Sequence, residues 1–146
     1  MYGASRTATI LGGKAVLGVA INSDYDLEKL VVRGLPYKTV DRLIERIYPD
    51  DRSKRWQIIP SSTYYRRRKA GHLTTEESSK VERIARVYGM MLDVWDGEGE
   101  EDSARCFMQT KHRLLDNRSP FQACSSELEA RQVEDILGRI EYGVFS

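Results

Sequence analysis

Cysteine is scarce: Cys106 and Cys124 are the two in 146 residues, and no CxxC pair places them at metal-ligand spacing. Without an export signal, two buried thiols are the expectation and a disulfide the alternative. Histidine is equally sparse. His72 and His112 form no Cys/His cluster, so both are read as surface or half-buried side chains and no metal is expected. Long apolar runs are missing as well. Residues 10–21 come nearest, but Gly12, Gly13, Lys14 and Gly18 interrupt a stretch already short of the roughly 20 residues that cross a bilayer. The same stretch makes a poor secretory signal, with neither a clean apolar centre nor a small-residue cleavage site. A mobile or loosely docked N-terminal arm over residues 1–25 is expected instead, in a cytoplasmic protein.

Strand-type alternation is absent, so the reading is all-α. A glycine-rich phosphate loop, a nucleophile–His–acid arrangement and a metal-spaced cluster are all lacking. Glu98, Glu100, Glu101 and Asp102 form the densest acidic patch, in a Gly-containing linker where solvated charge is its role. No catalytic residue, cofactor or enzyme activity is expected.

What the chain does have is a split of charge. Its net charge of +1 conceals eleven Lys/Arg against four Asp/Glu over residues 33–73, and nine against fifteen over residues 74–146. The first part, at +7, suits a polyanion, and the second, at −6, would be repelled by one. Two jobs are implied.

Helical periodicity dominates. Asp26 caps a short predicted helix over residues 27–32, closed by Gly34 and Pro36. Val40, Leu43, Ile44 and Ile47 make one apolar stripe on a helix over residues 37–47. Trp56, Ile58 and Ile59 then tuck into the core. A serine cap after Pro60 opens a helix of about ten residues that ends at Gly71. Thr74 and Glu77 read as a capping box for the longest helix, lined by Val81, Ile84, Ala85, Tyr88, Met91, Leu92 and Trp95. The segment from Asp96 to Glu100 is the candidate boundary. Further helices follow over residues 102–115, from Ser119-Pro120, and over residues 129–140, where Val133, Ile136, Leu137 and Ile140 are in register.

The helix opened by Pro60 carries the main chemical signal. A recognition helix needs short polar groups at its N-terminus to approach bases, and cations beyond them to grip phosphates. Ser61, Ser62, Thr63, Tyr64, Arg66, Arg67, Arg68 and Lys69 supply these in that order and are the candidate DNA-binding residues. The cations wrap most of a turn, so one or two are expected to reach guanine or phosphate while the rest stay solvated. One of Tyr64 and Tyr65 is expected in the core, and the other against sugar-phosphate.

At the far end, Val144 and Phe145 leave an apolar tail after Gly143, beside the polar heads of Arg139, Glu141 and Tyr142. Such a tail gains little from exposure and suits a segment ordered on binding. From residues alone, two readings share the DNA half: a stand-alone repressor with a dimerisation or ligand-sensing C-terminus, and a DNA-binding inhibitor of a second protein.

Two stretches carry a family resemblance. Ser62-Thr63-Tyr64-Tyr65-Arg66-Arg67-Arg68-Lys69-Ala70-Gly71-His72-Leu73-Thr74-Thr75-Glu76-Glu77-Ser78 resembles the helix-turn-helix junction of the Xre/MbcA/ParS antitoxins. Val133-Glu134-Asp135-Ile136-Leu137-Gly138-Arg139-Ile140-Glu141-Tyr142-Gly143-Val144 is similar to the end of that family's toxin-binding domain. The resemblance implies an Xre/Cro-like helix-turn-helix unit over residues 26–96 and a small helical toxin-binding domain over residues 97–146. It also implies a type II antitoxin that represses its own operon by binding operator DNA and blocks a RES-domain, NAD-consuming toxin. The toxin contacts would be Arg139, Glu141, Tyr142, Gly143, Val144, Phe145 and Ser146, within a hetero-oligomer built on a homodimer. Two departures stand out. Cys106-Phe107-Met108 replaces the family's Trp-Leu pair and its Pro, and residues 127–132 contain no Gly, so the last helix is expected to start earlier.

Overall fold

The computed structural model describes residues 3–95, 100–141 and 143. Among these residues the elements are all helical: α1 (Ala4–Ile10), α2 (Gly13–Leu17), α3 (Asp24–Arg33), α4 (Lys38–Ile47), α5 (Ser61–Ala70), α6 (Thr75–Val94), α7 (Glu100–Gln109), α8 (Pro120–Ala123) and α9 (Glu127–Glu141). Two 3₁₀ helices, Arg52–Gln57 and Arg113–Leu115, fill the connections. No described helix is long and apolar enough to cross a membrane.

The predicted capping box forms as read: Thr74 Oγ1 accepts the Glu77 N–H, and Glu77 Oε1 accepts the Thr74 N–H. Beyond the expected stripe, α6 also buries Val87 and Gly89. A helix buried on so many sides is the core of its domain rather than a cover for it. It packs against α1, α3, α4, α7 and α9. The α4 stripe is fully inside, with Val40, Leu43, Ile44 and Ile47 buried.

The N-terminal arm is a correction. Ile10 and Leu11 are 1% and 0% exposed, and Ala4, Thr7, Ala8, Leu17 and Ile21 are buried with them. Gly89 of α6 faces α1 closely: a Cβ there would lie 3.2 Å from Arg6 Cγ and 3.3 Å from Ile10 Cδ1, so a larger residue would need those side chains to shift by a few tenths of an ångström. α1 thus docks on α6, and α2 packs against α1 and α4.

Local boundaries differ for identifiable reasons. Ser23 rather than Asp26 caps α3, its hydroxyl accepting the Asp26 N–H, so the helix begins earlier. Pro60 takes the N-cap position of α5, and Ser61 is already helical. The expected helix over 102–115 ends at Gln109, and His112 Nδ1 accepts the Leu114 N–H to start a separate 3₁₀ turn. At the start of α8, Ser119 and Gln122 form a second capping box. The last helix does start earlier, at Glu127, and extends to Glu141. Both cysteines are free thiols. Cys124 is buried as expected, but Cys106 is exposed.

Gly34 closes the turn between α3 and α4. With φ of +108° and a hypothetical Cβ only 2.3 Å from the Leu73 carbonyl, no other residue fits there. Leu73 N–H donates to Leu35 O and Leu35 N–H to the buried Ser78 Oγ, each at 2.8 Å, locking this turn to the one between α5 and α6.

Candidate nucleic-acid interface and C-terminal segment

On α5 the residues expected at DNA divide by helical register. Pro60, Tyr64, Arg67 and Gly71 are spaced i, i+4, i+7 and i+11, which places them on one face. Tyr64 and Arg67 of that face turn inward, while Pro60 is exposed and Gly71 half-buried. Ser61, Ser62, Arg66, Arg68 and Lys69 are exposed, Thr63 is half-buried, and Tyr64 is 5% exposed. Tyr64 Oη donates to Asp41 Oδ2 of α4, and its ring packs edge-on against Tyr37, Trp56 and Tyr65. Burial, and then the bond to Asp41, push its phenol up to about 12. The expectation that Tyr64 faces DNA is therefore corrected: its neighbour Tyr65, half exposed, is the aromatic on the outer surface.

Arg67 is also turned in. Its Nε and Nη2 donate to the two oxygens of Glu77 at 2.7 and 2.9 Å, a bidentate pair between α5 and α6. That bond, ahead of the other contributions, holds the Glu77 carboxyl below its ordinary value.

Four other cations of the basic segment are likewise paired. Arg42 and Arg52 pair with Glu45, Arg46 with Glu101, and Arg55 with Asp41 at 2.8 Å. Arg66, Arg68 and Lys69 carry no ion pair among the described residues. The positive charge that α5 offers to solvent thus rests on these three side chains. Arg66 also donates to Thr63 Oγ1 at 3.2 Å, which leans it toward the N-terminal turn. No side chain caps that turn, so its outward N–H groups remain available to an acceptor.

The C-terminal candidates lie elsewhere. α9 is clamped to α6 by Arg83, which donates to Glu127 and to the Cys124 carbonyl, and by Arg86, which reaches Glu82, Glu127 and Glu134. Ala130, Val133, Ile136 and Leu137 are buried beneath it. The opposite face exposes Leu128, Arg131, Gln132, Asp135 and Arg139. Leu128 is 69% exposed, an apolar group with no role in the internal packing and one missed from sequence. Its spacing to Arg131, Asp135 and Arg139 marks the outer face once the early start of α9 is known. Glu141 and Gly143 are exposed, and the Gly143 N–H donates to Ile140 O at 3.2 Å. Tyr142, Val144, Phe145 and Ser146 lie outside the described residues, as does the expected boundary at Gly97.

Comparison with known proteins matches both halves. Residues 26–86 match the antitoxin Xre-like helix-turn-helix domain, and residues 92–143 match the antitoxin Xre/MbcA/ParS C-terminal toxin-binding domain. Neither is an enzyme family. A protein named antitoxin Xre from Yersinia enterocolitica is 38% identical over 89 residues, covering 60% of this chain and 59% of that protein. Another antitoxin Xre, from Photorhabdus laumondii, is 28% identical over 132 residues, covering 89% of this chain and 88% of that protein. The chain's match thus spans about three fifths of the Yersinia protein and nearly nine tenths of the Photorhabdus one. The two matched units meet on a single helix, α6, and with these relatives they show that the chain belongs to the Xre-type antitoxins.

Proposed function

We propose that the chain represses its own operon through α5 and neutralises a RES-domain, NAD-consuming toxin through its C-terminal segment. The observation that carries the DNA half is the outward face of α5: Ser61, Ser62, Tyr65, Arg66, Arg68 and Lys69 are exposed together, above an uncapped helix N-terminus. Hydroxyls and N–H groups at one end and unpaired cations at the other suit base edges and phosphates respectively. A single unit of this size reads few bases, so the operator complex is proposed to hold two copies on paired half-sites.

For the toxin half, Arg139, Glu141, Tyr142, Gly143, Val144, Phe145 and Ser146 enter or cover the toxin's nucleotide cleft. Arg139 and Glu141 are exposed at the end of α9 and Gly143 just beyond it, so these groups can meet a partner while Ala130, Val133, Ile136 and Leu137 stay buried. The match to a toxin-binding domain favours this reading over a stand-alone repressor. Both proteins act in the cytoplasm.

Removing residues 143–146 tests the assignment. The shortened chain is expected to bind promoter DNA like the full one and to fail to protect cells expressing the neighbouring toxin gene. Full protection by the shortened chain would refute it.

A further inference from the structure

Arg67 stands in the middle of the basic run, yet it is the one cation of that run with a carboxylate clamped on it. The Glu77 carboxylate takes three donors: Arg67 Nε, Arg67 Nη2 and the Thr74 N–H. It therefore ties the end of α5, the intervening turn and the first turn of α6 into one unit. The α5 helix has no apolar stripe to seat it, because Tyr64 is the residue it buries. Beside the packing of the Tyr64 ring, two polar latches one turn apart hold it, Tyr64 on Asp41 and Arg67 on Glu77.

We propose that Arg67 is a positioning residue for DNA reading. It does not touch DNA; acting through Glu77, it sets the angle at which Arg66, Arg68 and Lys69 are presented. This rests on the reading of α5 as the DNA-facing helix.

The two possible roles of Arg67 predict opposite effects at Glu77. Were Arg67 a phosphate contact, Glu77 would be a carboxylate beside phosphates and a competitor for Arg67. Removing its charge would then tighten binding. If Arg67 positions α5, removing that charge loosens the helix and weakens binding. Glu77→Gln is the suitable variant, since Gln at this position still completes a capping box and preserves the start of α6. Arg67→Lys gives a second, independent reading. A lysine serves a phosphate as a point charge nearly as well, but cannot make the bidentate fork to Glu77.

The test is fluorescence anisotropy on a promoter duplex with the full chain, over a salt series, with thermal unfolding of each variant as a control for folding. Glu77→Gln, Arg67→Gln and Arg67→Lys are each expected to weaken binding about five- to tenfold. The Glu77→Gln/Arg67→Gln pair should be no weaker than either single change beyond about twofold, because both break the same latch. The salt slope should stay at its starting value, no phosphate contact having been lost. Unchanged or tighter binding by Glu77→Gln would overturn the proposal. So would near-normal binding by Arg67→Lys with a slope reduced by about one for Arg67→Gln. A triple Arg66→Ala/Arg68→Ala/Lys69→Ala variant separates the two levels: if it binds DNA normally, the failure lies with α5 as the reader.

Discussion

Tyr88 of α6, at the join between the two matched domains, donates its hydroxyl to Glu101 of α7 in the second of them. Arg46 of α4 donates to the other oxygen of the same carboxylate at 2.8 Å, and Arg105 and Gln109 of α7 donate to the carbonyls of Arg46 and Ile47. The helix-turn-helix half and the C-terminal half are thereby fastened to each other through α7, which bonds to both α4 and α6.

Tyr88→Phe should therefore lower stability by about 1 kcal/mol, the usual net value of one hydrogen bond. A urea titration followed by circular dichroism should show one transition with an unchanged slope and a lower midpoint. Two separate transitions in the parent protein would mean that the halves unfold independently.

Ile10→Ala should cost roughly 2–5 kcal/mol, as for a large side chain removed from a close-packed core. The same urea titration measures it. A change near zero would return the N-terminus to the status of a loosely docked arm.

Thr74→Ala removes the hydroxyl that starts α6 and should cost about 1 kcal/mol. The midpoint of thermal unfolding reads the effect, and an unaltered midpoint would mean that tertiary packing alone fixes where α6 begins.

Glu77 supplies a pH signature. Its carboxyl is held low, chiefly by the Arg67 hydrogen bond. A depressed folded value means its stabilisation is complete above the unfolded value of about 4.3 and is lost as pH falls through the folded value. Urea midpoints across pH should show the parent protein's advantage over Glu77→Gln constant near neutrality and shrinking below about pH 4.3. A constant gap down to pH 2 would contradict the linkage.

Apolar periodicity and capping chemistry were legible in the sequence because both are local. Val40, Leu43, Ile44 and Ile47 face the core as their spacing implies, and Thr74 finds Glu77 three residues on. The N-terminal helices were not, because Gly12, Gly13 and Gly18 punctuate the run and the site that receives it, Gly89, lies nearly eighty residues away. Within the basic run, Arg67 is indistinguishable from Arg66 and Arg68 until its carboxylate partner is placed in space. Tyr64 and Tyr65 differ only in register, which the short α5 leaves weakly marked.

The most direct measurement of the central claim is the equilibrium binding of the operon's promoter duplex by the Arg66→Ala/Arg68→Ala/Lys69→Ala variant across a salt series. Binding should be weaker, with the salt slope reduced by about one to two as one or two phosphate contacts are lost. An affinity and a slope equal to those of the unaltered chain would contradict it.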